Sequence, residues 1–210
     1  CRWHEEDARI GVDPDVALIE PAPPGADHLA SLRTWEPGHV PPRFAIEVVS
    51  SSNSEKDYQD APAKYAALGT RELVVFDPER IGPPVSGGPF VLQVWRRNDE
   101  GAMERVYAGD GPARTEELDA WLIPTEPCRL RIADDKEGSQ LWLTSAEQEA
   151  AARKQAESAR LKSARAALED ICEAYGVPLD DTRRAHLDSL DADALESLRT
   201  SIKRTRSWPL

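Results

Sequence analysis

Asp15 and Glu47 are the two residues of this chain whose surroundings point most directly to chemistry. Asp15 follows Asp13-Pro14 and opens the apolar run Val16-Ala17-Leu18-Ile19, and Glu47 stands inside Phe44-Ala45-Ile46-Glu47-Val48-Val49-Ser50. An acid in or beside a β-branched apolar run is held where water is scarce, and an ionised carboxylate there is costly unless a cation or hydrogen-bond donors compensate it. Two such acids have one economical partner in common, a divalent metal. Mg2+ is usually bound through one or two carboxylates, with water and substrate phosphate filling the rest of its shell.

The elements that must position this pair can be followed along the chain. Val16 to Ile19 reads as a short strand stopped by Pro21, Pro23, Pro24 and Gly25, after which a Pro-rich loop around Trp35 runs to Pro42. Arg43 to Ser50 is the strongest strand, nearly continuous in apolar residues, as expected where both faces are covered. Ser50 to Gln59 reads as a polar loop, and Asp60 as the cap of a helix that carries Pro62 in its first turn, Lys64, Tyr65 and Leu68, and ends at Gly69. Arg71 to Asp77 is the next buried strand. Strand, helix and strand at this spacing predict a right-handed βαβ crossover. Phe90 to Arg97 and Met103 to Tyr107 predict a hairpin about Asp99-Glu100-Gly101. A short helix through Leu118 to Leu122 and an extended stretch at Leu130 to Ile132 complete the expected domain. Thr144-Ser145-Ala146-Glu147 fits a capping box for a long helix to Tyr175. Its Leu161, Ala164, Leu168, Ile171 and Tyr175 follow a spacing of three and four, while Lys154 and Glu157 break that register upstream. The stripe suits packing on two further helices, Thr182 to Leu190 and Ala192 to Thr205, or on a second subunit in a homodimer.

The expected organisation is therefore an α/β domain over residues 1–145 and a helical tail over residues 146–210. The chain has 210 residues and a net charge of −12, concentrated in residues 1–145, where 26 acids face 15 bases. That balance argues against a broad basic surface for non-specific nucleic-acid binding, while leaving room for a local basic groove. Cys1, Cys128 and Cys172 are too widely spaced for a zinc motif and odd in number, which suits a reducing cytoplasm. No apolar run approaches the roughly 18 residues of a membrane helix. The chain opens on Cys1-Arg2-Trp3-His4 rather than Met, so an N-terminal helix and strand are expected to precede it.

Pro14-Asp15, Glu47-Val48-Val49-Ser50, Lys64-Tyr65, Leu68-Gly69-Thr70-Arg71-Glu72-Leu73 and Val75-Phe76-Asp77-Pro78 occur in an ordered set. Together they resemble the Uma-two family of restriction endonucleases, with the PD-(D/E)XK nuclease core. The likeness continues through Gly109-Asp110-Gly111, Leu118-Asp119-Ala120-Trp121-Leu122 and Leu141-Trp142-Leu143-Thr144. It implies a restriction-endonuclease-like mixed sheet with flanking helices, DNA as substrate, and Mg2+ or Mn2+ held by Asp15, Glu47 and the backbone carbonyl of Val48. Such chemistry needs a metal to neutralise charge on the phosphate and acidify a water, and a lysine to orient that water and stabilise the transition state. Here the sequence departs from the pattern. Val49 stands where the motif expects its lysine, and Ala61 stands where relatives carry another, four residues beyond Asp57. Lys64 is the first candidate to replace them as a catalytic residue, and Lys56, in the connecting loop, the second.

The remaining residues read more plainly. His4, His28, His39 and His186 lack metal-ligand spacing, and Asp13 and Asp57 suit turns or caps, with a supporting role behind the metal ligands as the alternative. Trp95, Trp121 and Trp142 suit packing positions, and Trp35 alone sits in a loop where it could stack on a base. Ser50 to Ser54 suits a turn, with phosphate contact as its functional alternative. Two functions fit the whole: a metal-dependent DNA endonuclease, favoured by the acid pair, and a non-catalytic binding or scaffold protein that keeps the fold, favoured by Val49, Ala61 and the acidic core.

Overall fold

The β-branched runs pair into a single sheet around the strand that carries Glu47. The computed structural model describes residues 1–7, 9–51, 54–84 and 88–209, and divides into two units, Cys1–Trp142 and Leu143–Leu210. Five strands of the first unit, β1 (Val16–Leu18), β2 (Phe44–Val48), β3 (Glu72–Phe76), β4 (Leu92–Arg97) and β5 (Met103–Gly109), lie side by side in that order. The pair β2 and β3 is parallel, as a crossover through a helix requires, and the other neighbours are antiparallel. A second sheet contains β6 (Ala113–Thr115), β7 (Ala120–Thr125) and β8 (Arg129–Ala133).

Both faces of β2 and β3 are covered, and alternation decides which residue meets which cover. Ala45, Val49, Leu73 and Val75 form one core with Tyr58, Ala61, Tyr65 and Leu68 of the helix. Phe44, Ile46, Val74 and Phe76 form the other with Leu92 and Val94, and with Ala113 and Leu122 of the second sheet. Glu47 takes the side of Ala45 and Val49, so its carboxylate is directed at the helix. The two sheets are joined at Glu72, only 1% exposed, whose carboxylate accepts from the Thr115 hydroxyl, from Glu116 N and from Arg96 Nε.

Two expectations need correction. The stretch from Leu118 to Leu122 is not a helix. A turn at residues 116–119, with Asp119 in the left-handed region at φ 51°, leads into β7, and Ala120 to Leu122 pair with Thr115 to Ala113. Local helix propensity loses there to cross-strand pairing and burial of Leu122. The second correction concerns Ser50 to Gln59, which is a loop only in its first part. The helix begins at Ser54, widens into a π-helical turn at Lys56–Asp60 and continues as α1 (Ala61–Leu68). Asp60 is already helical and makes no side-chain cap. Gly69 ends α1 at φ 95°, a conformation costly for a side-chain-bearing residue, and its N–H reaches the Tyr65 and Ala66 carbonyls. Ser52 and Asn53 lie outside the described residues, as does the side chain of His28.

In the second unit, α2 (Ser145–Ala174) opens with the expected capping box of Thr144 and Glu147, while α3 (Asp181–Ser189) and α4 (Ala192–Thr205) are capped by Asp180 and Asp191. Leu168 and Cys172 of α2 pack with Val177, Leu187, Leu195 and Ile202, and Leu161, Ala164 and Ile171 join that cluster. The apolar stripe is thus used within the tail, and the polar first half of α2 stays exposed. The architecture is mixed α/β with a C-terminal helical region, consistent with the restriction-endonuclease-like class. No described helix is long and apolar enough to cross a membrane. Trp142 differs from its expected packing role: it is 42% exposed, with its indole N–H on Asp134 Oδ1 at 2.7 Å.

Candidate active site

Strand register brings the two acids together. Val16 pairs with Ile46 in the antiparallel ladder, so continuing by one residue sets Asp15 opposite Glu47. Asp15 is held there by a backbone contact, its Oδ2 accepting from Val48 N at 2.7 Å. Asp13, by contrast, faces Arg2, whose guanidinium holds its carboxyl below the usual range.

Glu47 is 4% exposed, and Tyr65, fully buried on α1, donates its hydroxyl to Glu47 Oε1 at 2.7 Å. Burial, then the Glu47 carboxylate, push the Tyr65 hydroxyl well above its ordinary range, so it remains a donor. Burial likewise raises Glu47, and the charges of Asp57 and Asp15 push the same way; the Tyr65 hydroxyl and the Lys56 ammonium oppose them. Asp57 is 5% exposed and also raised, first by burial and further by Asp15, against Lys56, the Ser50 backbone and Lys64.

Asp57 is the residue that sequence reasoning placed elsewhere, as a turn or cap. Its signal was a spacing of four: Asp57, Ala61 and Tyr65 fall on one helix face once the helix is allowed to start at Ser54. The lysines are also arranged differently from expectation. Lys64 directs its amine to Asp60 at 3.4 Å, whereas Lys56 Nζ lies 3.9 Å from Asp57 Oδ1 and acts on Glu47 as well. Val49 and Ala61, the positions where lysine is absent, are 5% and 2% exposed and belong to the apolar core under the helix.

A raised pKa on a buried acid means that the folded protein carries its negative charge reluctantly. The stability such a group gives is present below its unfolded value and is lost as pH rises through its folded value. Metal-free Glu47→Gln keeps an oxygen for Tyr65 and removes the charge, so it should melt above wild type at pH 7. The gap should close as pH falls below the ordinary glutamate value of 4.5. Thermal melts of both proteins from pH 4 to 8 in chelator check this, and a constant gap would show that Glu47 is not desolvated.

These donors suit a hard divalent cation. Among the described residues no three His, Cys, Asp or Glu side chains are grouped to hold a metal by themselves. One or two carboxylates are sufficient where water and substrate phosphate supply the remaining oxygens, and Glu47 and Asp15, opposite one another on β2 and just before β1, are two such carboxylates. Residues 1–87 match the Uma2 family model, described as "Putative restriction endonuclease". The Uma2 match contains Asp15, Glu47, Val48, Asp57 and Tyr65, and therefore the whole site. The likeness seen in the sequence at residues 109–144 lies beyond it. No curated protein matches the chain.

Proposed function

We propose that this protein is a metal-dependent nuclease that hydrolyses phosphodiester bonds of DNA, with Asp15 and Glu47 as metal ligands beside the carbonyl of Val48. The observation that carries this reading is a buried glutamate paired across two strands with a second acid, inside a Uma2-matched stretch. Mg2+ or Mn2+ bound there would neutralise phosphate charge and acidify a water. The chain's own contribution is positional. Val48 N fixes the Asp15 carboxylate, and Tyr65 holds one oxygen of Glu47, leaving the other for the ion. Asp57, as a buried base of raised pKa, would take a proton from an attacking water. The geometry favours Lys56 over Lys64 as the ammonium that meets the phosphate, since Lys56 already faces the acids and Lys64 is engaged with Asp60.

The test is cleavage of supercoiled plasmid DNA in Mg2+ and in Mn2+. Lys56→Ala is expected to slow cleavage by roughly a hundredfold to a thousandfold, the cost of losing one donor to transition-state charge. Lys64→Ala should stay within severalfold of wild type. The reverse order would return the role to Lys64. A second reading, a binding protein that keeps the fold without hydrolysis, is favoured by the apolar, buried Val49 and Ala61. Tight DNA binding with no cleavage in either metal would select it.

A further inference from the structure

The π-helical turn before α1 stands at an informative place. It covers five residues, Lys56–Asp60, a single π-turn of the kind that recurs inside helices at functional sites. The wider turn shifts the phase of the side chains before it relative to those of α1. Lys56 and Asp57, which with Asp15 are the charged residues that act on Glu47, are its first members.

The next residue, Tyr58, is 4% exposed and donates its hydroxyl to Asp77 Oδ2 at 2.8 Å, while Phe90 N donates to that hydroxyl at 3.2 Å. Asp77, the residue after β3, is fully buried and accepts from Ile81 N at 3.0 Å and Gly82 N at 2.8 Å. The seat for the ring is built in backbone: a Cβ on Gly82 would lie 2.1 Å from the Tyr58 ring and one on Gly88 2.6 Å. A charge-assisted, fully buried bond of this kind is stronger than an ordinary hydrogen bond and is costly to leave half made.

We propose that Tyr58 and Asp77 form a buried latch that holds the π-turn in place, and thereby act as positioning residues that set Lys56 and Asp57 against Glu47. The inference rests on the metal-dependent reading above for its functional consequence, and on the hydrogen bonds alone for the latch. Neither residue touches the acid pair. Their effect is to fix the phase of the helix, so that successive side chains from residues 56 to 58 reach the site and its anchor in turn.

The experiment compares full-length wild type, Tyr58→Phe, Asp77→Asn, Glu47→Gln and Leu122→Val, the last a destabilising change in the opposite core. Amide hydrogen exchange of residues 54–60 is followed without metal, and Mn2+ affinity by titration calorimetry. Tyr58→Phe and Asp77→Asn should each speed exchange across 54–60 by at least tenfold and weaken Mn2+ binding about tenfold. Leu122→Val should lower the melting temperature while leaving both readouts unchanged. Unchanged exchange and Mn2+ affinity in both latch variants, with binding lost in Glu47→Gln, would overturn the latch and leave the metal reading intact. Faster exchange in Tyr58→Phe and Asp77→Asn, with no Mn2+ binding by wild type itself, would support the latch and overturn the metal reading. An equal effect from Leu122→Val would reduce Tyr58 and Asp77 to general stability.

Discussion

Glu47→Gln should eliminate both the rise in melting temperature that Mn2+ gives the wild-type protein and metal-dependent cleavage of DNA. A ligand at a hundred times its dissociation constant stabilises the state it binds by about 2.7 kcal/mol. For a sheet unit of Cys1–Trp142 this amounts to several degrees in the melting temperature. The isosteric change keeps the Tyr65 contact and the packing, so its effect isolates the charge. Without metal, the neutral variant is the more stable protein; with saturating Mn2+, wild type should overtake it. Cleavage should fall by at least about a thousandfold, because the group that neutralises transition-state charge is lost. Asp15→Ala should behave similarly, with an added loosening of the β1 edge where Val48 N loses its acceptor. Retention of the full Mn2+ shift by both variants would show that the metal binds elsewhere.

Leu168→Ala should unfold the helical tail while the sheet unit remains folded. Leu168 is fully buried at the centre of the cluster that α2, α3 and α4 build together. Truncating such a leucine costs about 2–5 kcal/mol, and a unit as small as Leu143–Leu210 has little stability to lose. Far-ultraviolet circular dichroism should show loss of helix near room temperature, and limited proteolysis should trim the chain back towards Leu143. The near-ultraviolet signal of Trp95, in the sheet core, should persist. A single cooperative melt involving both units, shifted downward together, would contradict the division.

The strands and the acid pair were legible because their signal is local. Phe44-Ala45-Ile46-Glu47-Val48 is an apolar run interrupted by one acid, and burial on both sheet faces makes such a run continuous. The tail helices were also legible: the Thr144 capping box announces α2, and the expected spans Thr182 to Leu190 and Ala192 to Thr205 fall on α3 and α4, whose caps Asp180 and Asp191 were not read. What could not be read depends on partners distant in sequence. The π-turn through Lys56-Asp57-Tyr58 is polar and resembles a loop until Asp77, nineteen residues on, supplies the acceptor that anchors it. For the same reason Asp57 was assigned to a turn, and Lys56 was ranked behind Lys64: both assignments followed from capping the helix at Asp60, six residues after it begins at Ser54. The strand β7 was misread because Leu118-Asp119-Ala120-Trp121-Leu122 has acceptable helix formers, and only pairing with β6 and β8 overrides them.

The burial of Val49 decides where a cation can stand in this fold. The side chain lies in the same core as Tyr58, Tyr65 and Val75, below the helix rather than at the mouth of the site. A lysine returned to position 49 would have to bring its ammonium out of that core or lose its proton, because burial drives a lysine pKa down by several units. The apolar neighbours would have to change before a cation could be held there. Position 49 is therefore closed to a charged side chain in this fold, and a cation meant to face the acid pair has to stand on the turn beside it, as Lys56 does.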